Sequence, residues 1–118
     1  DLFLVTNKRI IPTIEILRHH NMVHTFKAII GCDSVENNAF SKAKSINHLI
    51  TKYDLSESDC TYFGDTEGDA AACHEAGVDF VYVSWGYGDA KEMANLKCLT
   101  MNGWDELCGF TGRVQLGK

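Results

Sequence analysis

Short apolar runs alternate along this chain with segments of helical period. Leu2 to Val5 is an apolar run of strand length, followed from about Pro12 by a segment in which Ile11, Ile14 and Leu17 fall on one helical face. Ala28 to Ile30 is followed by a helix from about Lys42, where Ile46, Leu49, Ile50 and Tyr53 recur at i, i+3, i+4 and i+7. Thr61 to Phe63 leads into a helix from about Glu67 that Gly77 should cap, and Phe80 to Ser84 leads into a weaker one from about Ala90. Ala70, Ala71, Ala72 and Ala76 give the third helix a small-residue surface that can approach a sheet closely. Repeated strand-then-helix units require parallel strands joined by crossovers, so the predicted fold class is α/β, a doubly wound parallel sheet of Rossmann-like type. Beyond about Asn95 the pattern weakens. Cys98 to Met101 reads as a short edge strand, Trp104 to Cys108 as a final helical turn, and the end of the chain as a frayed tail.

Composition narrows the function classes. A length of 118 residues suits one domain, since roughly 100–150 residues is the commonest size, so 1–118 is expected to form a single α/β core. Hydrophobic residues at 45% and charged residues at 23% exclude a disordered chain. The formal net charge of -5 leaves no basic stripe for a phosphate backbone, so no nucleic acid partner is expected. The apolar runs fall far short of the roughly 20 residues that cross a bilayer, so no membrane association is expected either. The start at Asp1 lacks the basic region of a signal peptide. Five cysteines, Cys32, Cys60, Cys73, Cys98 and Cys108, form no C-x-x-C pair, which suits a reducing, cytoplasmic setting. Cys60 and Cys73 read as small core residues. His20 and His24 have a spacing that could bind a metal on a helix, but Asn21 between them should end that helix.

Ligands of open α/β sheets bind beyond the carboxyl ends of the strands. There the chain carries Thr6-Asn7-Lys8, Gly31-Cys32-Asp33, Gly64-Asp65 and Trp85-Gly86-Tyr87-Gly88. Asp65 and Asp69, at a strand end and on the following helix, can face one small space, where a hard divalent ion would relieve their repulsion. Asp69 could equally complement the helix N-terminus. The Thr6 hydroxyl sits where a phosphate oxygen could be received, or is simply a strand-end threonine. Lys42 begins a helix whose dipole is positive at that end, a place a bound phosphate would explain, although lysines at helix starts are commonly just solvated. Taken in chain order, a hydroxyl, a lysine and an acidic pair compose a phosphoryl-transfer site.

Those residues carry a resemblance. Leu4-Val5-Thr6-Asn7-Lys8, Ser41-Lys42-Ala43 and Gly64-Asp65-Thr66-Glu67-Gly68-Asp69 resemble, in order, the second, third and fourth motifs of the haloacid dehalogenase-like hydrolase superfamily. The stretch Val83-Ser84-Trp85-Gly86-Tyr87-Gly88 is similar to its phosphoglycolate phosphatase branch, so the resemblance spans roughly residues 2 to 90. It implies a magnesium-dependent phosphatase acting on a small-molecule phosphate monoester through an aspartyl-phosphate. Thr6 would hydrogen-bond the transferring phosphoryl group, Asn7 would support binding, Lys42 would neutralise it, and Asp65 with Asp69 alongside would hold Mg2+. Trp85 to Gly88 would form a loop near the site.

The pattern also breaks. The family's nucleophile belongs to a D-x-D-x-[TV] motif upstream of the second motif, and neither that string nor the helical cap occurs here. Asp1 cannot substitute, because no apolar strand precedes it. In the family's sheet the absent strand lies between those bearing Thr6 and Asp65, so two apolar edges would be left open. A missing N-terminal segment of the same protein is expected to complete the sheet, or the two edge strands close up in a rearranged fold; a homo-oligomer is left open. The alternative function is a non-catalytic relative that binds phosphate or a partner. A receiver or flavodoxin-like domain fits less well, because receivers carry their acidic pair near the start of the chain.

Overall fold

Alternate residues of the first apolar run point to opposite sides, and this sets the layering of the molecule. In the computed structural model, which describes residues 1–35, 39–84, 86, 99–103 and 114–117 (the last four by backbone alone), Leu2–Val5 forms strand β1 with Phe3 and Val5 wholly buried. The chain continues as α1 (Ile10–His19), β2 (Ala28–Ile30), α2 (Lys42–Lys52), a 3-10 turn at Glu57–Asp59, β3 (Cys60–Gly64), α3 (Glu67–Ala76), β4 (Asp79–Val83), β5 (Leu99–Met101) and β6 (Val114–Gly117). The sheet order is β2-β1-β6-β3-β4-β5, and every neighbouring pair is parallel. This is the doubly wound parallel sheet expected from the alternation of periods. Among the described residues, no helix is long and apolar enough to cross a membrane.

Helices α2 and α3 share one face of the sheet. Ile46 and Leu49 of α2, and Cys73 and Ala76 of α3, pack on Phe3, Val5, Cys60 and Tyr62. Fully burying side chains of this size contributes about 1.5–3 kcal/mol each, so this layer is the principal core. Phe63, Val81, Val83 and Met101 form a second cluster on the other face. Local signals set the helix ends. The Ser41 side chain caps α2 by accepting from the Lys44 amide, Thr66 caps α3, and Gly77 ends α3 in the left-handed region at φ 78°. Asn21 ends the first helical segment at φ 56°, so His20 and His24 do not share a helical face.

The structure departs from the sequence pattern in two places. Helix α1 begins at Ile10 and buries Thr13, whose hydroxyl donates to the Arg9 carbonyl, while Ile11 of the expected apolar face is 67% exposed. The larger departure is at the end of the chain. Val114–Gly117, expected to fray, is strand β6, pairing with β1 on one side and β3 on the other. β1 and β3 therefore do not close upon each other, since β6 lies between them, while the incomplete core expected of the chain stands. Both are interior apolar strands whose backbone groups need partners, and β6 supplies them. Leu99–Met101 is the edge strand expected of that region. The expected helix near Ala90, the turn at Trp104 to Cys108, and Trp85, Tyr87 and Gly88 lie outside the described residues.

Candidate active site

Where β3 ends, the chain turns at Gly64 and enters α3 through Asp65 and Thr66. A Cβ on Gly64 would lie 2.7 Å from Asp69 Oδ2 and 2.8 Å from Asp69 Cβ, so only glycine lets the strand end lie directly on that side chain. Asp69 and Thr66 form a reciprocal capping box. Thr66 Oγ1 accepts from the Asp69 amide at 3.1 Å, and Asp69 Oδ2 accepts from the Thr66 amide at 3.3 Å. The same oxygen accepts from the Asp65 amide at 3.2 Å. The other oxygen, Oδ1, is ion-paired with Lys42 Nζ.

Asp69 thereby has both carboxylate oxygens engaged. Its side chain is 1% exposed and that of Lys42 15%, so the pair is shielded and each charge depends on the other. Lys42 stands at the positive end of α2, an unfavourable place for an ammonium, and the Asp69 carboxylate offsets it. Asp65 is 4% exposed at the adjoining strand end. Lys42 and Asp69 border a cavity of about 340 Å³ that Asn7, Ser41, Thr66 and Glu75 also line. Thr6 follows β1 at the same carboxyl rim but lines a different groove of about 240 Å³, beside Lys8, Thr13 and Leu17. Its Oγ1 accepts from the Lys8 amide at 3.1 Å. The structure thus brings Asn7, Lys42, Asp69 and the Asp65 backbone together, and sets the Thr6 side chain on the other side of β1.

Asp33 was visible in the sequence only as a polar residue after a strand. It caps α1 from outside the helix: Oδ1 accepts from the Ile10 amide at 2.8 Å, and Oδ2 lies 3.5 Å from Arg9 Nε. A cap drawn from 23 residues away leaves no local S/T/D/N signal before the helix, so pattern reading could not find it. The Ile10 hydrogen bond holds the Asp33 carboxyl below its ordinary pKa. A depressed carboxyl contributes stability fully above its unfolded value, about 3.9, and loses it as pH falls through the lower folded value. The thermal midpoint difference between wild type and Asp33→Ala should therefore be constant above about pH 5 and shrink below about pH 4. An equal difference at pH 3 and pH 7 would remove Asp33 from this role.

The buried thiols Cys60 and Cys73 are poor nucleophiles. Burial first, and the Asp69 charge second, push Cys73 up to about 12, and burial also raises Cys60. Both remain protonated at neutral pH. Tyr62 donates to the Val5 carbonyl at 3.3 Å and is likewise raised by burial, which keeps it a neutral core residue.

An open, all-parallel sheet places the chain in the class of doubly wound α/β proteins, a fold whose ligands generally bind at the carboxyl rim where these ionisable side chains gather. The chain belongs to the haloacid dehalogenase-like hydrolase family, whose profile residues 1–83 match. It is 31% identical over 96 residues to a phosphoglycolate phosphatase of Vibrio cholerae, covering 80% of this chain and 41% of that protein. A 5'-nucleotidase of Pseudomonas aeruginosa is 29% identical over 92 residues, again with 41% of its length covered. Among solved structures, a haloacid dehalogenase-like family protein from Streptococcus pneumoniae superposes with a TM-score of 0.79 at 21% identity, over 92% of this chain and 50% of its own. A predicted phosphoglycolate phosphatase from Haemophilus somnus gives 0.77 at 22%, over 92% of this chain and 48% of its own. The chain thus spans about two fifths of the curated relatives it matches and half of the solved ones.

Proposed function

We propose that this chain is a core domain of a magnesium-dependent phosphatase that hydrolyses a small-molecule phosphate monoester. The observation that carries the reading is the meeting of Lys42, Asp69 and the Asp65 amide at the carboxyl rim of a parallel sheet, where Lys42, Thr66 and Asp69 border one cavity. Phosphoryl transfer needs little covalent chemistry from the protein beyond positioning and charge neutralisation, and this cluster supplies both. In this reading the Lys42 ammonium neutralises the phosphoryl oxygens, Asn7 hydrogen-bonds the bound group, and the Thr6 hydroxyl donates to it after turning from the Lys8 amide.

The donor set suits a hard cation that keeps most of its own water. Asp65 offers carboxylate oxygens, and among the described residues no three His, Cys, Asp or Glu side chains gather as a protein-only cage would require. Asp65 would hold the ion with Asp69 beside it, and a bound magnesium ion would neutralise charge on the transferring group. The phosphoryl acceptor would be an aspartate that is not in this chain; it would form an aspartyl-phosphate as the alcohol leaves, and water would then release phosphate. The names of the relatives make phosphoglycolate and nucleoside monophosphates the first substrates to assay. Three free thiols among the described cysteines support a reducing compartment.

The natural-length protein should hydrolyse p-nitrophenyl phosphate with magnesium, lose that activity to a chelator, and regain it when magnesium is returned. Turnover indifferent to chelation would sink the reading. A second reading, a relative that binds phosphate without turnover, is favoured by one feature: β6, between β1 and β3, has the sequence Val-Gln-Leu-Gly and no carboxylate. Saturable binding of inorganic phosphate with no hydrolysis by the natural-length protein would select it.

A further inference from the structure

We infer that Gly86 is a positioning residue for Asp65, the absence of its side chain setting where the carboxylate can stand. This rests on the proposed cation site at Asp65. A Cβ on Gly86 would lie 2.1 Å from Asp65 Cβ, 2.4 Å from Oδ2 and 2.6 Å from Cγ. Real Cβ atoms essentially never approach closer than 3.0 Å, so the Gly86 backbone lies flat against the whole Asp65 side chain.

Backbone conformation does not explain this glycine. Gly77 is the glycine with positive φ among the described residues, and Gly86 lies outside the left-handed region. Two backbone hydrogen bonds anchor the turn bearing Gly86: the Gly86 amide donates to the Val83 carbonyl at 3.4 Å, and the Ser84 amide to the Met101 carbonyl at 3.1 Å. A wall anchored to β4 and β5 therefore closes on the end of β3. Any side chain at position 86 must displace Asp65 or the turn, and the turn is tied at two points.

The two carboxylates are thus seated on two glycines, Asp69 on Gly64 and Asp65 on Gly86. Asp69 is also fixed by Lys42 and two amides. Asp65 is packed against the Gly86 backbone, which limits where its carboxylate can stand. Residues that orient a metal ligand typically carry about 10–100-fold in metal affinity, which sets the size of the effect to look for.

The test uses the full chain with Mn2+ as a paramagnetic probe, its binding read from loss of the free-ion spectrum. Gly86→Ala should weaken Mn2+ binding by at least about tenfold, and Asp65→Asn by as much or more. Ile11→Ala is the control: Ile11 is 67% exposed on α1 and lines neither the cavity at Lys42 nor the groove at Thr6, so affinity should hold. Gly86→Ala binding within twofold of wild type overturns the inference while leaving the cation site standing. An Asp65→Asn chain that binds like wild type, or a wild-type chain that does not bind, overturns the cation reading and this inference with it. If Gly86→Ala unfolds early, the double variant Asp65→Gly/Gly86→Ala decides. The loss of thermal midpoint caused by alanine should vanish when position 65 has no side chain, and its persistence would show that the collision is not with Asp65.

Discussion

Lys42→Met in the natural-length protein should lower kcat for an aryl phosphate by about a hundred- to a thousandfold, the usual loss when one preorganised donor to a developing anion is removed. The expectation follows from where the ammonium stands. It is 15% exposed, borders the cavity, and is held there by Asp69, so it cannot be replaced by a mobile surface lysine or by water. If Lys42 serves only as the counter-ion of Asp69, the variant would lose stability, but its folded fraction would keep the wild-type kcat. The two cases separate when kcat is measured well below the thermal midpoint and normalised to folded protein. Lys42→Arg sharpens the comparison, because it keeps the charge but not the compact ammonium. An arginine variant as slow as the methionine variant would show that geometry at this point matters beyond charge.

Much of the architecture was legible in the sequence because the two hydrophobic periods are clean. Leu2–Val5, Ala28–Ile30 and the helix beginning at Lys42 fall where the pattern put them, and Gly77 ends α3 as its position suggested. What escaped depends on contacts distant in sequence. Val114–Gly117 has too few residues to show a period, and its strand state comes from the edges of β1 and β3, which no local reading can anticipate. Asp33 escaped for the same reason, since its helix lies two elements upstream. In the site, the sequence pointed to Lys42, Asp65 and Asp69 as neighbours but not to their division of labour. Both readings of Asp69, as a partner of the helix start and as a member of the acidic pair, were open, and the geometry adds a third partner in Lys42.

That third partner makes Asp69→Ala the substitution with the largest expected cost to the fold, about 3–5 kcal/mol, the range for removing one member of a buried ion pair. Lys42 would be left shielded at the positive end of α2, and the Asp65 and Thr66 amides would lose their acceptor at the start of α3. A domain of this size has only about 5–15 kcal/mol of stability in total, so the thermal midpoint should fall by roughly 10–20 °C. Lys42→Met should cost less, about 1–3 kcal/mol, because methionine removes a charge together with its desolvation, while Asp69 keeps two amide donors and the helix N-terminus. The ordering is the informative part and can be read by circular dichroism on the full chain. If Lys42→Met proves the more damaging, Asp69 does not organise the rim, and the capping box must be stable without the carboxylate that closes it.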